Sequence, residues 1–192
     1  MNAHAGPITN STFAENRSES GSGVTNFGGT VVITNSTLAR NQSGPFGRGG
    51  GGLENISGTV ILLSAILALN TAIALTPGPD CFGVVTSQGN NLIGDPTDCT
   101  IALHPSDLTG DPGLDVFTDD GTPGNGHFPL LPTSQAIDAG NDAVCPRTDQ
   151  LGQRRVNIPR VGTSICDIGA VEFLGKDDRQ HDEEDDLHDA DH

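Results

Sequence analysis

The phrase Ile33-Thr34-Asn35-Ser36-Thr37-Leu38-Ala39-Arg40-Asn41 recurs in this chain, and that recurrence limits the available folds more than any other feature. An earlier copy, Ile8-Thr9-Asn10-Ser11-Thr12-Phe13-Ala14-Glu15-Asn16, lies 25 residues upstream, and an altered copy, Leu62-Leu63-Ser64-Ala65-Ile66-Leu67-Ala68-Leu69-Asn70, lies 29 residues downstream. A second phrase repeats between them: Val24-Thr25-Asn26-Phe27-Gly28-Gly29-Thr30-Val31 returns as Leu53-Glu54-Asn55-Ile56-Ser57-Gly58-Thr59-Val60. A period in the twenties is the mark of a solenoid, whose units bury their apolar faces only by stacking. Apolar positions alternate with Thr and Ser and are broken by Asn and Gly, which spells short strands and tight turns rather than helices. The expected fold is all-β, a right-handed parallel β-helix with Val31, Ile33 and Leu38 stacked on Val60, Leu62 and Leu67 along its bore.

Three segments are expected. Residues 1–76 hold three coils, residues 77–175 continue the solenoid into a loop-rich C-terminal cap, and residues 176–192 form an acidic, disordered tail. The corner loop grows from residues 18–23 in the first coil to residues 43–52 in the second, which accounts for the change of offset, since solenoids accept insertions at a corner. That longer loop contains Gly47-x-Gly49-x-x-Gly52, but it feeds a strand rather than a helix. Ala72 stands where a dinucleotide site would place its acidic ribose ligand. The apolar run Val60 to Leu75 is too short for a membrane span and contains Ser64, Asn70 and Thr71.

Coil three departs from the repeat in one respect that matters. Outward-facing Val32, Thr34 and Thr37 become Ile61, Leu63 and Ile66, and Arg40 becomes Leu69. Ile61, Leu63, Ile66 and Leu69 are therefore expected to be covered, by the C-terminal region folding back or by another chain. The first coil has no neighbour on its N-terminal side and is expected to fray or to stack on a second copy. The Asn-x-Ser/Thr triplets at Asn10, Asn16, Asn35, Asn41 and Asn55 could accept glycans, but their recurrence in successive coils favours ladders of stacked amides.

The charge of −16 is unevenly spread: residues 1–76 carry three acids against three Arg, 77–175 carry 13 against four, and 176–192 carry nine against two. No segment offers the basic surface that nucleic acid requires. The four cysteines, at 81, 99, 145 and 166, show no Cys-x-x-Cys spacing and no clustered His. Two disulfides are expected, which places the protein in an oxidising, extracellular setting. Of the three connectivities, Cys81 with Cys99 and Cys145 with Cys166 is favoured because each pair brackets a Gly/Pro/Asp-rich loop short of core residues. There is no basic and apolar leader at the N-terminus, and the chain starts in mid-repeat. The expectation is a trimmed C-terminal part of a longer exported protein.

The segments Gly89-Asn90-Asn91-Leu92-Ile93-Gly94-Asp95, Asp119-Asp120-Gly121-Thr122-Pro123, Leu130 to Asn141, Asp149-Gln150-Leu151-Gly152-Gln153-Arg154-Arg155 and Cys166-Asp167-Ile168-Gly169-Ala170-Val171-Glu172-Phe173 carry a resemblance. Together with the Asn-Ser-Thr repeats they resemble bacterial right-handed parallel β-helix surface proteins with a choice-of-anchor Q type C-terminal region. The resemblance covers nearly everything up to Leu174. It implies a pectin-lyase-like solenoid displayed at the cell surface, usually without an assigned activity. Such proteins often continue into an anchoring segment, where this sequence has its acidic tail.

Enzymatic chemistry finds little support in the residues. A calcium-dependent lyase needs carboxylates stacked on adjacent coils, and Glu15, Glu19 and Glu54 do not stack on other acids. Asp119-Asp120-Gly121 and Gly126-His127 resemble fragments of a polygalacturonase site, but its other elements are absent. No Gly-x-Ser-x-Gly occurs, and His104 and His127 are isolated loop residues. Asp138 and Asp167 each precede a Gly by two residues, a spacing suited to a carboxylate that holds a turn, with calcium ligation as the alternative. No cofactor is expected. Without Trp or Tyr the chain lacks the usual aromatic platforms for glycans. The expected function is an extracellular structural or adhesive surface protein whose partners are other surface proteins or its own copies. The alternative is a polysaccharide-active or polysaccharide-binding domain.

Overall fold

The computed structural model describes residues 6–19, 23–46, 48–73, 78–156 and 166–175, and the acidic tail lies outside them. Among these residues the chain is a parallel β-solenoid without helices. Three strand positions recur in each coil: β1 (Pro7–Thr9), β2 (Thr12–Ala14) and β3 (Arg17–Ser18), then β5 (Thr30–Thr34), β6 (Thr37–Ala39) and β7 (Gln42–Ser43). The third set is β9 (Thr59–Leu63), β10 (Ile66–Ala68) and β11 (Thr71–Ala72). Strands β4 (Val24–Asn26) and β8 (Leu53–Asn55) form a further side, and β12 (Cys81–Ser87) spans it and the next face in one run. The solenoid then continues through β13 (Leu92–Ile93), β14 (Cys99–Ala102) and β15 (Leu108–Thr109). The sheets run β1-β5-β9-β12-β8-β4 with β14 on β12, β15-β13-β10-β6-β2, and β11-β7-β3.

Register follows the repeat residue by residue. Ile8 pairs with Ile33 and Ile33 with Leu62, Phe13 with Leu38 and Leu38 with Leu67, and Val24 with Leu53 and Leu53 with Cys81. These columns fill the bore, and burying a Leu or Ile in one contributes about 1.5–3 kcal/mol. The strand-to-strand corners need the left-handed backbone. Asn10, Asn35, Ser64 and Asn90 form one such column (φ 47, 44, 51 and 55°), and Glu15, Arg40 and Leu69 form another (φ 55, 57 and 61°). Two disulfides, Cys81 with Cys99 and Cys145 with Cys166, close the expected loops.

The loop-rich, disulfide-pinned C-terminal region is present, and its residues 111–156 and 166–175 run back along the outer flank of the β15-β13-β10-β6-β2 sheet as a strap. Asn90 Nδ2 donates to the Ala139 carbonyl (3.0 Å), Ser64 Oγ accepts from the Asn141 N–H (2.9 Å), and Asn10 Nδ2 donates to the Thr148 carbonyl (2.7 Å). The strap therefore touches fourth, third and first coils in turn. Beneath it lies a second apolar core in which Ile66, Leu92, Ala39 and Ala68 meet Phe128, Leu130, Ile137 and Ile168. Small Ala side chains on the flank let Phe128 approach, and Arg40 caps its ring at 5.2 Å.

The strap answers what covers coil three. Ile66 is fully buried beneath it and Leu63 is buried, whereas Ile61 is half-buried. Leu69 departs from expectation: it remains 43% exposed because it occupies the left-handed corner outside the strap. Thr37 departs in the opposite sense, since its Oγ1 lies under the strap and accepts from the Ala170 N–H at 3.1 Å.

Gly169 is where strap and solenoid come closest. Its N–H donates to the Ser64 carbonyl at 3.0 Å, its φ is +103°, and a Cβ there would sit 2.8 Å from Ile66 Cδ1 and 2.9 Å from Thr37 Oγ1. Gly169→Val is expected to destabilise the fold by about 3 kcal/mol through backbone strain and overpacking. Loss of strap anchoring would be read as a lower urea midpoint, and an unchanged midpoint would contradict the packing described.

Candidate functional site

Two polar constructions organise the molecule, one inside the solenoid and one at its seam with the strap. The first is an amide ladder. Asn16 Nδ2 donates to Asn41 Oδ1 (2.9 Å), Asn41 Nδ2 to Asn70 Oδ1 (2.9 Å), and Asn70 Nδ2 to Asp80 Oδ1 (2.8 Å). Each backbone N–H follows its own amide to the same acceptor, at 3.1, 2.9 and 3.0 Å. The buried Asp80 carboxylate ends the series by accepting the Asp95 N–H at 2.7 Å on its other oxygen. Burial pushes Asp80 up to about 6 despite these donors.

Only part of this was expected from the sequons. Asn16 and Asn41 are ladder members, and Asn55 belongs to a shorter ladder in which it accepts from Asn26 Nδ2 at 3.1 Å. Asn10 and Asn35 are not laddered. Both hold the left-handed corner, Asn10 turning to the strap and Asn35 burying an amide that has no partner among the described residues. Asn70 and Asp80 escaped notice because neither lies in a sequon, although Asn70 sits 29 residues after Asn41, at the repeat's own spacing.

The second construction is a knot of carboxylates around Arg155. The Arg155 Nη1 donates to Glu172 Oε2 at 3.0 Å with both side chains shielded from solvent. Its Nη2 donates to Asn10 Oδ1 and to the Gly169 carbonyl, each at 3.0 Å, so one guanidinium ties coil one to the strap. Glu172 accepts the Asp167 N–H (3.1 Å) and the Val156 N–H (2.9 Å). Asp167 accepts the Asp138 N–H (2.7 Å) and the Phe173 N–H (2.6 Å). Asp149 accepts the Leu151 and Gln153 N–H groups on Oδ1 and the Glu172 N–H on Oδ2, each at 2.9 Å. Asp138 and Asp167 are thus brought together, with Asp138 itself in the left-handed region at φ 51°. Asp149, Arg155 and Glu172 were not singled out from sequence, though all three fall within the phrases that carry the resemblance.

Burial raises the Asp167 carboxyl to about 8, helped by the neighbouring Glu172 and Asp138 charges, and burial also raises Glu172. The folded state then holds protons that the unfolded chain releases above about pH 4. Stability is greatest below the unfolded value and falls as pH rises, through about 6 for Asp80 and about 8 for Asp167. The melting temperature is expected to be several degrees higher at pH 5 than at pH 8, corresponding to about 2–4 kcal/mol. Calorimetry across that range that found a rise with pH would contradict this.

The remaining candidate residues hold turns. Asp119 accepts the Gly121 N–H (2.9 Å), and Asp120 accepts the Thr122 N–H (2.8 Å) and Asn125 Nδ2 (3.1 Å). His127 Nδ1 donates to the Asn125 carbonyl at 2.6 Å, and the exposed His104 lies beside Ser106 Oγ at 2.8 Å. In the solenoid Glu54 is stacked between Thr25 and Phe82, and Glu15 shares its corner with Arg40 and Leu69. Among the described residues no group of three or more His, Cys, Asp or Glu side chains is placed to hold a metal ion. Nor is any helix among them long and apolar enough to cross a membrane.

The fold and these networks define a parallel β-solenoid of about three regular turns, extended by shorter coils and bound by a disulfide-pinned strap. No protein-family profile, curated protein or solved structure matches the chain.

Proposed function

We propose that this chain is a non-catalytic structural or adhesive β-solenoid of an extracellular surface, of the kind the choice-of-anchor Q resemblance implies. The observation that carries the reading is the use made of its buried acids. Asp80, Asp149, Asp167 and Glu172 each accept backbone N–H groups that tie solenoid segments together, fix a turn or join the strap to itself. An acid so engaged holds architecture and is poorly placed to exchange protons with a substrate. Two disulfides agree with an oxidising exterior, where a solenoid must survive without cytosolic chaperones.

Contact with other surface proteins is assigned to the ladder of exposed apolar side chains Phe27, Ile56 and Val84, which stand on equivalent positions of three successive coils. Self-association through the outer face of coil three is the less favoured route, because the strap already occupies Ile66.

Antibody against the folded protein should label intact producing cells, and brief protease treatment of those cells should remove the signal. Labelling only after lysis would overturn the surface assignment. A polysaccharide panel assayed for new reducing ends or unsaturated products tests the enzymatic alternative, with turnover above buffer deciding for it.

A further inference from the structure

We propose that the cavity beside the Cys145–Cys166 disulfide binds a small anion bearing two or more carboxylate or phosphate groups, gripped by Arg147 and Arg154. The cavity has a volume of about 720 Å³ and is walled by Arg147, Arg154 and Arg155 together with Asp142 and Cys145. That volume falls in the range of small-molecule sites, about 300–1,000 Å³.

Charge placement is the first argument. The chain carries nine Lys and Arg against 25 acids, yet three of those cations border this one space. Arg147 and Arg154 are exposed, and among the described residues neither side chain has a hydrogen-bond or ion-pair partner. Cations left unpaired in so acidic a chain are free to pair with something else. Asp142, the acid on the wall, already accepts the Cys166 N–H on Oδ1 at 3.3 Å. Arg155 is a buried wall of the cavity whose Nη1 and Nη2 are engaged at the seam, which leaves Arg147 and Arg154 as the cations open to a ligand.

Preorganisation is the second argument. The arginines stand on a hairpin in which Thr148 bridges Arg154, the Arg155 N–H donates to the Arg147 carbonyl (3.1 Å), and the Asp149 N–H donates to the Gln153 carbonyl (2.9 Å). Thr12 Oγ1 donates to Gln150 Oε1 at 2.6 Å, which fastens the hairpin tip to the solenoid. These bonds fix the hairpin backbone beside the cavity, and guanidinium forks suit planar or tetrahedral oxyanions, which they bind through paired N–H donors.

The surroundings select for size. Residues 77–175 carry 13 acids, so a polyanionic polymer would be repelled along most of its length. A compact ligand keeps its charges within the roughly 8 Å over which the arginines outweigh that field.

The full chain should be titrated by calorimetry with citrate, pyrophosphate and sulfate at constant ionic strength. Citrate or pyrophosphate should bind one to one with a Kd of about 0.1–1 mM, at least about tenfold tighter than sulfate. Arg147→Gln with Arg154→Gln should remove the binding and the ligand-induced rise in melting temperature, leaving the ligand-free melting temperature unchanged. The absence of saturable heat up to about 10 mM, equal affinity for all three anions, or unaltered affinity in the double variant would each overturn the proposal.

Discussion

Replacing Arg155 by Met is expected to lower stability by about 3–5 kcal/mol at pH 7.5, the cost of leaving a buried carboxylate without its cation. Glu172 would keep its two backbone donors but lose the guanidinium at 3.0 Å, in a place where burial already raises its pKa. The same substitution frees Asn10 Oδ1 and the Gly169 carbonyl, so coil one and the strap lose a shared anchor. At pH 5 the penalty should shrink, because a carboxyl whose pKa is raised takes up a proton more readily than it bears an uncompensated charge. Urea unfolding at both pH values checks this, and an equal loss at both would show that the charge on Glu172 is not the cause.

A loss of about 4 kcal/mol is expected for Asn70→Leu, at the centre of the long ladder. Its Oδ1 accepts from both the N–H and the Nδ2 of Asn41, and its Nδ2 donates to Asp80 Oδ1 and to the Leu38 carbonyl. All of these groups are buried, and each polar group left unsatisfied costs about 1–3 kcal/mol. Asn16→Leu should cost less than about 1 kcal/mol, since Asn16 is exposed and, among the described residues, accepts from no further coil. Equal losses at the two positions would mean that the amides contribute as isolated turn residues and not as a connected series.

The bore of the first three coils was legible in the sequence, because a parallel solenoid places equivalent residues in contact and its register is the repeat offset itself. Ile33 could be matched to Leu62 by counting, and the structure pairs them. The need to cover coil three was legible for the same reason, as an apolar substitution in a column that is polar one coil earlier. The direction of the cover was not. Ile168 and Gly169 lie about a hundred residues from Ile66, and no periodicity links a strap to the flank it crosses. Asp138 and Asp167 stood out through their spacing to Gly, but the bond from the Asp138 N–H to Asp167 could not be read from that spacing. Asp149, Arg155 and Glu172 did not stand out, since the N–H donors of the two acids and the Asn10 and Glu172 acceptors of Arg155 are brought together only when the strap lies down.

The strap also gives the solenoid a fixed gauge. Repeat proteins ordinarily gain or lose units with little consequence, because each unit meets only its neighbours. Here Thr148, Asn141 and Ala139 meet Asn10, Ser64 and Asn90 across several coils, like rungs matched to a ruler. Each coil adds about 4.8 Å to the stack. Duplicating or deleting one between Asn10 and Asn90 would put every later mark out of alignment, including the Arg155 bond to Asn10. A coil added or lost between Asn10 and Asn90 is therefore expected to unseat the strap, which gives that stretch a fixed length.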